Sequence, residues 1–393
     1  MALQPVPRSV KYKGSKISQD RERRRIITFL LGFVICAVVI GLIVFLVIHF
    51  QKFKGYKVSS SLEITNSDEH TSYYPYLNGY IKVAGDGITY FDKNKALWSE
   101  NFEMAQPMVD VCEGYIAVAD MKTTDVYIFD ESGYLNRITI PKSIIDVEVS
   151  KQGVIAVATD EKESNYIELL NKEGKELITA KSIFSSSGYL MDITLSNDGS
   201  KLVAAFSGAG EGVMTSKVVF YDFSKDNAGD DMIVGGFNQY ESTIITNVQF
   251  MEGNKVCAIC ESGFSIYDFS SKPKLVYENL EVPWQIQSLF FSDKQIGFIV
   301  LDDEIENNYC IKVFNLHGKL IANKGFDFAY NSAAFAGKNV LLYSAKDCEI
   351  YSFAGVKRFS YSFEDRIAYM LPCGNTKDYI YAKADSTQFI KLK

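Results

Sequence analysis

The sequence predicts an all-β fold, an eight-bladed β-propeller with seven blades as the alternative count, behind one N-terminal transmembrane helix. Three observations lead there. A unit of short strand, turn, nearly all-apolar strand, loop, aromatic-bearing strand and tight polar turn recurs eight times between Tyr73 and Lys393. The chain is 13% aromatic, with 24 Tyr and 27 Phe, and has no helical periodicity beyond residue 48; such side chains fit a pleated, half-buried surface. A single uncharged run stands ahead of the repeats with its basic residues gathered on one side. A length of 393 residues permits two domains, but repeats stacked into a ring bury one continuous core.

In chain order, residues 1–25 read as a basic cytoplasmic tail, 26–48 as the transmembrane helix, 49–60 as a juxtamembrane linker and 61–393 as an extracytoplasmic propeller. The run from Ile26 to Ile48 is 23 residues long, which at about 1.5 Å per residue exceeds the roughly 30 Å of bilayer hydrocarbon. A cleaved signal peptide has a shorter apolar stretch and then small residues; here His49, Phe50, Gln51 and Lys52 follow, so the segment is expected to stay attached. Arg8, Lys11, Lys13, Lys16, Arg21, Arg23, Arg24 and Arg25 precede it, against Lys52, Lys54 and Lys57 after. That bias predicts a single-pass protein of the cell membrane with its N-terminus in the cytoplasm and its propeller outside.

Residues 1–57 hold 11 of the 41 Lys+Arg and 2 of the 48 Asp+Glu, leaving 30 against 46 and a net charge of −16 on the remainder. A domain that acidic repels phosphate backbones, so nucleic acid is not an expected partner, and anionic lipid headgroups account for the basic tail. Cys36 falls in the apolar run, while Cys112, Cys257, Cys260, Cys310, Cys348 and Cys373 fall in predicted strands and read as buried thiols. Cys257 and Cys260 have C-x-x-C spacing, yet positions i and i+3 of a strand face opposite ways and do not converge on a metal.

The second strand of each unit is the most distinctive: Tyr80–Ala84, Tyr115–Ala119, Val154–Ala158, Leu202–Phe206, Val256–Cys260, Gly297–Leu301, Val340–Ser344 and Tyr379–Ala382. Most are apolar on both faces, as a mid-blade strand covered by neighbouring blades needs to be. Inner strands align at Pro75, Asp110, Asp146, Asp192, Asn247, Ser288, Ser332 and Ile367, a mean step of about 42 residues that suits a four-stranded blade. Third strands end in turns such as Asp130-Glu131-Ser132-Gly133, Asn171-Lys172-Glu173-Gly174 and Asn315-Leu316-His317-Gly318. In these, Asp or Asn supports the turn and Gly accepts positive φ. Seven units carry a fourth strand and the eighth does not; Ser61-Leu62-Glu63-Ile64-Thr65 is expected to supply it, closing the ring and removing an exposed edge.

The turns and their flanks, Tyr127 to Gly133, Leu169 to Lys175 and Val313 to Lys319, resemble quinoprotein-like (PQQ-like) and WD40-like propeller repeats, and Asp192 to Gly199 resembles a WD40-like inner-strand signature. Over nearly its whole length the chain resembles a family of membrane-anchored propellers of unknown function from Gram-positive bacteria. That resemblance implies a propeller and a membrane anchor but no activity. The regular Trp packing of quinoprotein enzymes is missing, since only Trp98 and Trp284 occur, so no cofactor is expected.

His49, His70 and His317 are the only histidines, too few and too scattered for a His-dependent triad or a multi-His metal centre, so no catalytic set and no metal are expected. Gly208, Gly210 and Gly212 read as a flexible loop. Asp110, Asp146 and Asp192 fall at one inner-strand position, where a hydrogen-bonding role is favoured over a cation site in the channel. Asp302, Asp303, Glu304 and Glu306 match no calcium loop and read as a solvated hairpin tip.

Propellers put second-to-third-strand loops and blade-to-blade links on one face, and here these are the long ones: 181–188, 207–216, 235–243 and 302–308. Phe184, Tyr189, Phe237, Tyr240, Trp284 and Tyr330 lie in or beside that face and are the candidate ligand-binding residues, with blade packing as the plainer role. The expected function is non-enzymatic binding or scaffolding of a protein or cell-envelope component. The alternative is a carboxylate-dependent glycan hydrolase or lyase at the cell surface; a sensor suffers from a short tail without an output domain.

Overall fold

A computed structural model describes residues 26–41, 50–64, 71–92, 95–210, 212–224, 232–301, 309–373 and 376–393, and their 32 strands form eight four-stranded antiparallel sheets. Each sheet is a blade. Their inner strands are Ser72–Tyr76, Pro107–Cys112, Ser143–Val149, Tyr189–Leu195, Ile245–Met251, Gln285–Ser292, Ser332–Phe335 and Tyr369–Pro372. Ile367, aligned by sequence with the inner strands, instead precedes the eighth, where its N–H donates to the Ala345 carbonyl.

The strand Tyr56–Glu63 completes blade 8 from the outside, antiparallel to Ser386–Leu392 in a register running from Tyr56 opposite Leu392 to Glu63 opposite Ser386. It begins within the segment read as linker; Ile64 follows it and Thr65 lies outside the described residues. Beyond the ladder, Phe53 N–H donates to the Arg358 carbonyl of blade 7 at 2.7 Å, the Lys393 carbonyl accepts from the Lys54 and Gly55 N–H groups, and the Lys393 N–H donates to the Gly55 carbonyl. The ring is therefore sealed by two stretches of chain more than 300 residues apart.

Second strands are buried on both faces because each blade is sandwiched between two others: Ile116 to Ala119 and Leu202 to Ala205 have no exposed surface. The apolar core is correspondingly divided into eight clusters, one for each junction of adjacent blades. The junction of blades 8 and 1, holding Tyr73, Tyr80, Phe91, Leu371 and Ile380, is as apolar as the others. Fully burying each such side chain contributes roughly 1.5–3 kcal/mol, so an unclosed ring would forfeit a whole layer.

Tight turns between third and outer strands lock adjacent blades together. Asn315 Oδ1 accepts from the His317 and Lys319 N–H groups, and Gly318 adopts φ 71°. Tyr277 of blade 5 lies against Gly318 so closely that a Cβ there would sit 2.0 Å from the ring. Trp98 of blade 1 makes the same kind of contact with Gly133 of blade 2, donates from Nε1 to the Glu131 carbonyl and stacks on Phe129 at 5.6 Å.

Two segments expected to be loops are strands. Residues 207–216 form a β-hairpin that extends the second and third strands of blade 4, Lys201–Gly210 and Val213–Asp222, so Gly208 and Gly210 are paired rather than flexible. Most of 235–243 belongs to the blade 4 outer strand Ile233–Glu241, whose glycines fit beneath Pro273 and beside Val218. The acidic segment Asp302, Asp303, Glu304 and Glu306 lies outside the described residues.

The N-terminal unit is separate. Residues 26–41 form an α-helix of 16 residues, about 24 Å long, and 42–48 lie outside the described residues. Among the described residues no helix is long and apolar enough to cross a membrane.

Gly318→Ala is expected to cost roughly 2–4 kcal/mol, read as a shift in the denaturation midpoint, and a further Tyr277→Ala change should couple with it rather than add. Ser61→Cys with Gln388→Cys places thiols at directly opposed positions; oxidation should stabilise the chain by about 2–4 kcal/mol over its reduced form, and failure to crosslink would refute the closure.

Candidate functional site

Two regions bring chemistry-bearing side chains together: the inner ring around the channel, and a cleft on the long-loop face. The inner strand of every blade presents an edge of unpaired N–H groups, which need acceptors. In blades 2 to 4 each inner strand supplies these to the next. Asp110 accepts from Val149 at 2.7 Å, Glu148 from Leu195 at 3.2 Å and Thr194 from Phe250 at 3.0 Å. One pleat away, Asp146 accepts from Ile193 at 3.2 Å and Asp192 from Val248 at 2.7 Å.

This register corrects the alignment of Asp110 with Asp146 and Asp192: Asp110 is equivalent to Glu148, and Met108 takes the other position. The cause is the turn from inner to second strand, shorter in blade 2, where Cys112 pairs with Tyr115, than in blades 3 and 4, where Val149 pairs with Ile155 and Leu195 with Leu202. The carboxylates bind the adjoining strand rather than a turn.

Burial pushes all four carboxyls above their ordinary range, Asp110 to about 6 and Asp192 to about 8, Asp192 further raised by the charge of Asp146. Asp146 and Asp192 are each bonded to a backbone N–H of the next blade, and the charge of Asp146 acts on Asp192.

The cleft lies between blades 3 and 4 and encloses about 750 Å³. One wall is the link Phe184–Ser187, a single helical turn after the outer strand Glu176–Ile183, anchored by the Phe184 N–H on the Glu163 carbonyl at 3.0 Å. Gly188 ends the turn at φ 83° with its Cα against the Ser207 backbone, where a Cβ would lie 2.6 Å from the carbonyl oxygen. Buried Asn165 then accepts from the Leu190 N–H at 2.9 Å, which holds Tyr189 outward, 59% exposed and 4.4 Å from the Phe184 ring.

The opposite wall is the blade 4 hairpin. Ser216 shares a 2.5 Å bond with Ser207, donates to the Thr243 carbonyl and accepts from the Ile245 N–H, tying the hairpin to blade 5. Lys217 emerges beside this network with its Nζ 5.7 Å from the centre of the buried Phe206 ring. Burial lowers its pKa, and no hydrogen bond or ion pair to the described residues compensates. Glu163 and Glu241 stand exposed on the lining.

Of the six sequence-predicted residues, Phe184 and Tyr189 meet in this cleft. Tyr240 has no exposed surface and bonds to the Tyr267 hydroxyl, and Phe237 packs on Phe220 and Tyr267. Trp284 packs near Phe298 and Phe314 beneath Lys312, and Tyr330 bonds to Ser288 at 2.7 Å beside Tyr309. These four serve blade junctions. Lys217, Phe206 and Gly188 were not legible as site residues; a lysine inside the otherwise apolar end of Val213–Asp222 was the available signal.

Asp192→Asn keeps an oxygen for the Val248 N–H and removes the charge. Because the folded-state pKa is raised, the stability contributed by this carboxyl is complete below its unfolded value near 4 and is lost as pH rises toward about 8. The variant should therefore melt a few degrees higher than the parent at pH 8–9 and show no such gain at pH 4, as read by thermal scans.

Solved structures with the same architecture include Sqt1 of Saccharomyces cerevisiae, at 10% identity over 87% of this chain and 99% of that one, with a TM-score of 0.55. Sqt1 of Chaetomium thermophilum matches at 11% identity over 86% and 100%, with a TM-score of 0.55. The WD40 domain of Neurospora crassa Pan2 matches at 12% identity over 73% and 88%, with a TM-score of 0.43. The likeness is one of fold, a WD40-like β-propeller. A comparison with curated proteins finds no match. Residues 49–392 match the family model described as a family of unknown function, DUF5711, and the chain belongs to that family.

Proposed function

We propose that this protein is a membrane-tethered, extracytoplasmic propeller that binds a protein or cell-envelope component, without catalysis, through its long-loop face. The observation that carries the reading is the cleft between blades 3 and 4, where exposed Tyr189, half-buried Phe184 and a lysine with no ion pair among the described residues line one concavity on a rigid ring. Placement at a membrane is supported by the 23-residue uncharged run, of which 16 residues form a helix apolar on all sides, with Phe29 83% and Phe33 74% exposed. The basic cluster ahead of it supports a cytoplasmic N-terminus.

The strand Tyr56–Glu63 joins the ring on the tight-turn face, at Leu392, opposite the long-loop face. Binding is favoured over glycan hydrolysis because the inner-ring carboxylates are spent on the next blade's N–H groups.

Protease added to intact cells expressing the full chain should remove the propeller, and a photo-crosslinking residue at Tyr189 should capture an envelope component that the same residue at Lys324, in blade 6, does not. Cleavage only after lysis would sink the topology. Turnover of a wall glycan that Asp192→Asn abolishes would sink the non-enzymatic reading.

A further inference from the structure

The cleft has three features that together restrict what enters it. The first is Lys217. An ammonium held partly out of water beside Phe206, with no ion pair or hydrogen bond among the described residues, costs stability and is compensated when an anion arrives. Glu163 and Glu241 on the same lining oppose a second negative charge, as does the net −16 of residues 58–393, so the anion is a single carboxylate rather than a phosphate or a polyanion.

The second feature is an open strand edge. The blade 4 second strand pairs with its inner strand only as far as Ser207 opposite Tyr189, while its pairing with the third strand continues through Gly208 and Ala209. Gly208 and Ala209 line the cleft with one side of their backbone free of any strand partner among the described residues. The Gly188 backbone already lies against Gly208, so the stretch of edge that another main chain can approach begins at Ala209. A backbone edge recognises amides, which a peptide has and a simple sugar acid lacks. The third feature is the Phe184–Tyr189 pair, tilted at 34°, which offers an apolar face beside both.

We propose that this cleft binds the carboxyl-terminal end of a peptide, with the terminal carboxylate on Lys217, the backbone at the Ala209 edge, and the last side chain, an apolar one, against Phe184 and Tyr189. A volume of about 750 Å³ holds a short end segment rather than a folded domain. The inference rests on the reading of the long-loop face as a binding surface and narrows it to one chemistry.

The test uses the full chain and two probes, acetyl-Ala-Ala-Leu and acetyl-Ala-Ala-Phe, each as free acid and as C-terminal amide, titrated calorimetrically. The acids should bind at least tenfold more tightly than the amides. Lys217→Met should abolish that difference and melt no lower than the parent, because it removes an uncompensated charge. Tyr189→Ala, at an exposed position, should weaken acid and amide alike by several-fold.

Equal binding of acid and amide, no binding of either, or a preference that survives Lys217→Met would overturn the proposal, as would binding of glucuronate in place of the peptides. If the titrations fail while the crosslinker at Tyr189 still captures an envelope component, the peptide-end assignment falls and the binding face stands. If both fail, both fall.

Discussion

The fold depends on one ladder, in which Tyr56–Glu63 lies against Ser386–Leu392. A blade is apolar on both faces and is stable only between two others, so the eight junctions are mutually dependent. The ladder turns an open stack with two uncovered ends into a ring with none. It also gives the strand Ser386–Leu392 an outer neighbour, so blade 8 has the same four-stranded form as the rest.

Within the ring, polar side chains are used in two opposite ways. Around the channel, Asp110, Asp146, Glu148 and Asp192 are committed to backbone N–H groups of the next blade, and their raised pKa values follow first from burial there. Lys217 is the contrary case, less deeply sheltered and given no hydrogen bond or ion pair among the described residues. A structural polar group is satisfied by the chain that folds around it, whereas one that serves a ligand must wait for it.

Much of the architecture was legible in the sequence because it follows from periodicity. Second strands such as Val256–Cys260 are apolar without alternation, and the Asn315 and Gly318 turn has a chemistry that few conformations use. The missing fourth strand of the last blade identified its replacement near Leu62, although the strand starts at Tyr56, where Lys57 and Val58 are exposed and leave no alternation to mark it. Register was less legible: the turn between inner and second strands varies in length from blade to blade, so Asp110 looked equivalent to Asp146. Glycine misled at Gly208 and Gly235, where it serves close approach rather than freedom. Aromatics at the ends of blades are ambiguous, because the same Tyr suits a junction, as Tyr240 does, or a surface, as Tyr189 does; only the local fold around Gly188 separates them.

The sealing ladder also sets an order of events. The earliest strand to leave the ribosome has as its sole hydrogen-bonded neighbour the latest one, so it remains single throughout elongation, and seven blades can stack before it finds its mate. Nascent chains of this topology spend their synthesis with a sticky end displayed, and a second copy emerging nearby offers an identical landing place. Domain-swapped dimers are thus the natural misassembly of this protein, and slow release or local crowding the conditions that would enrich them.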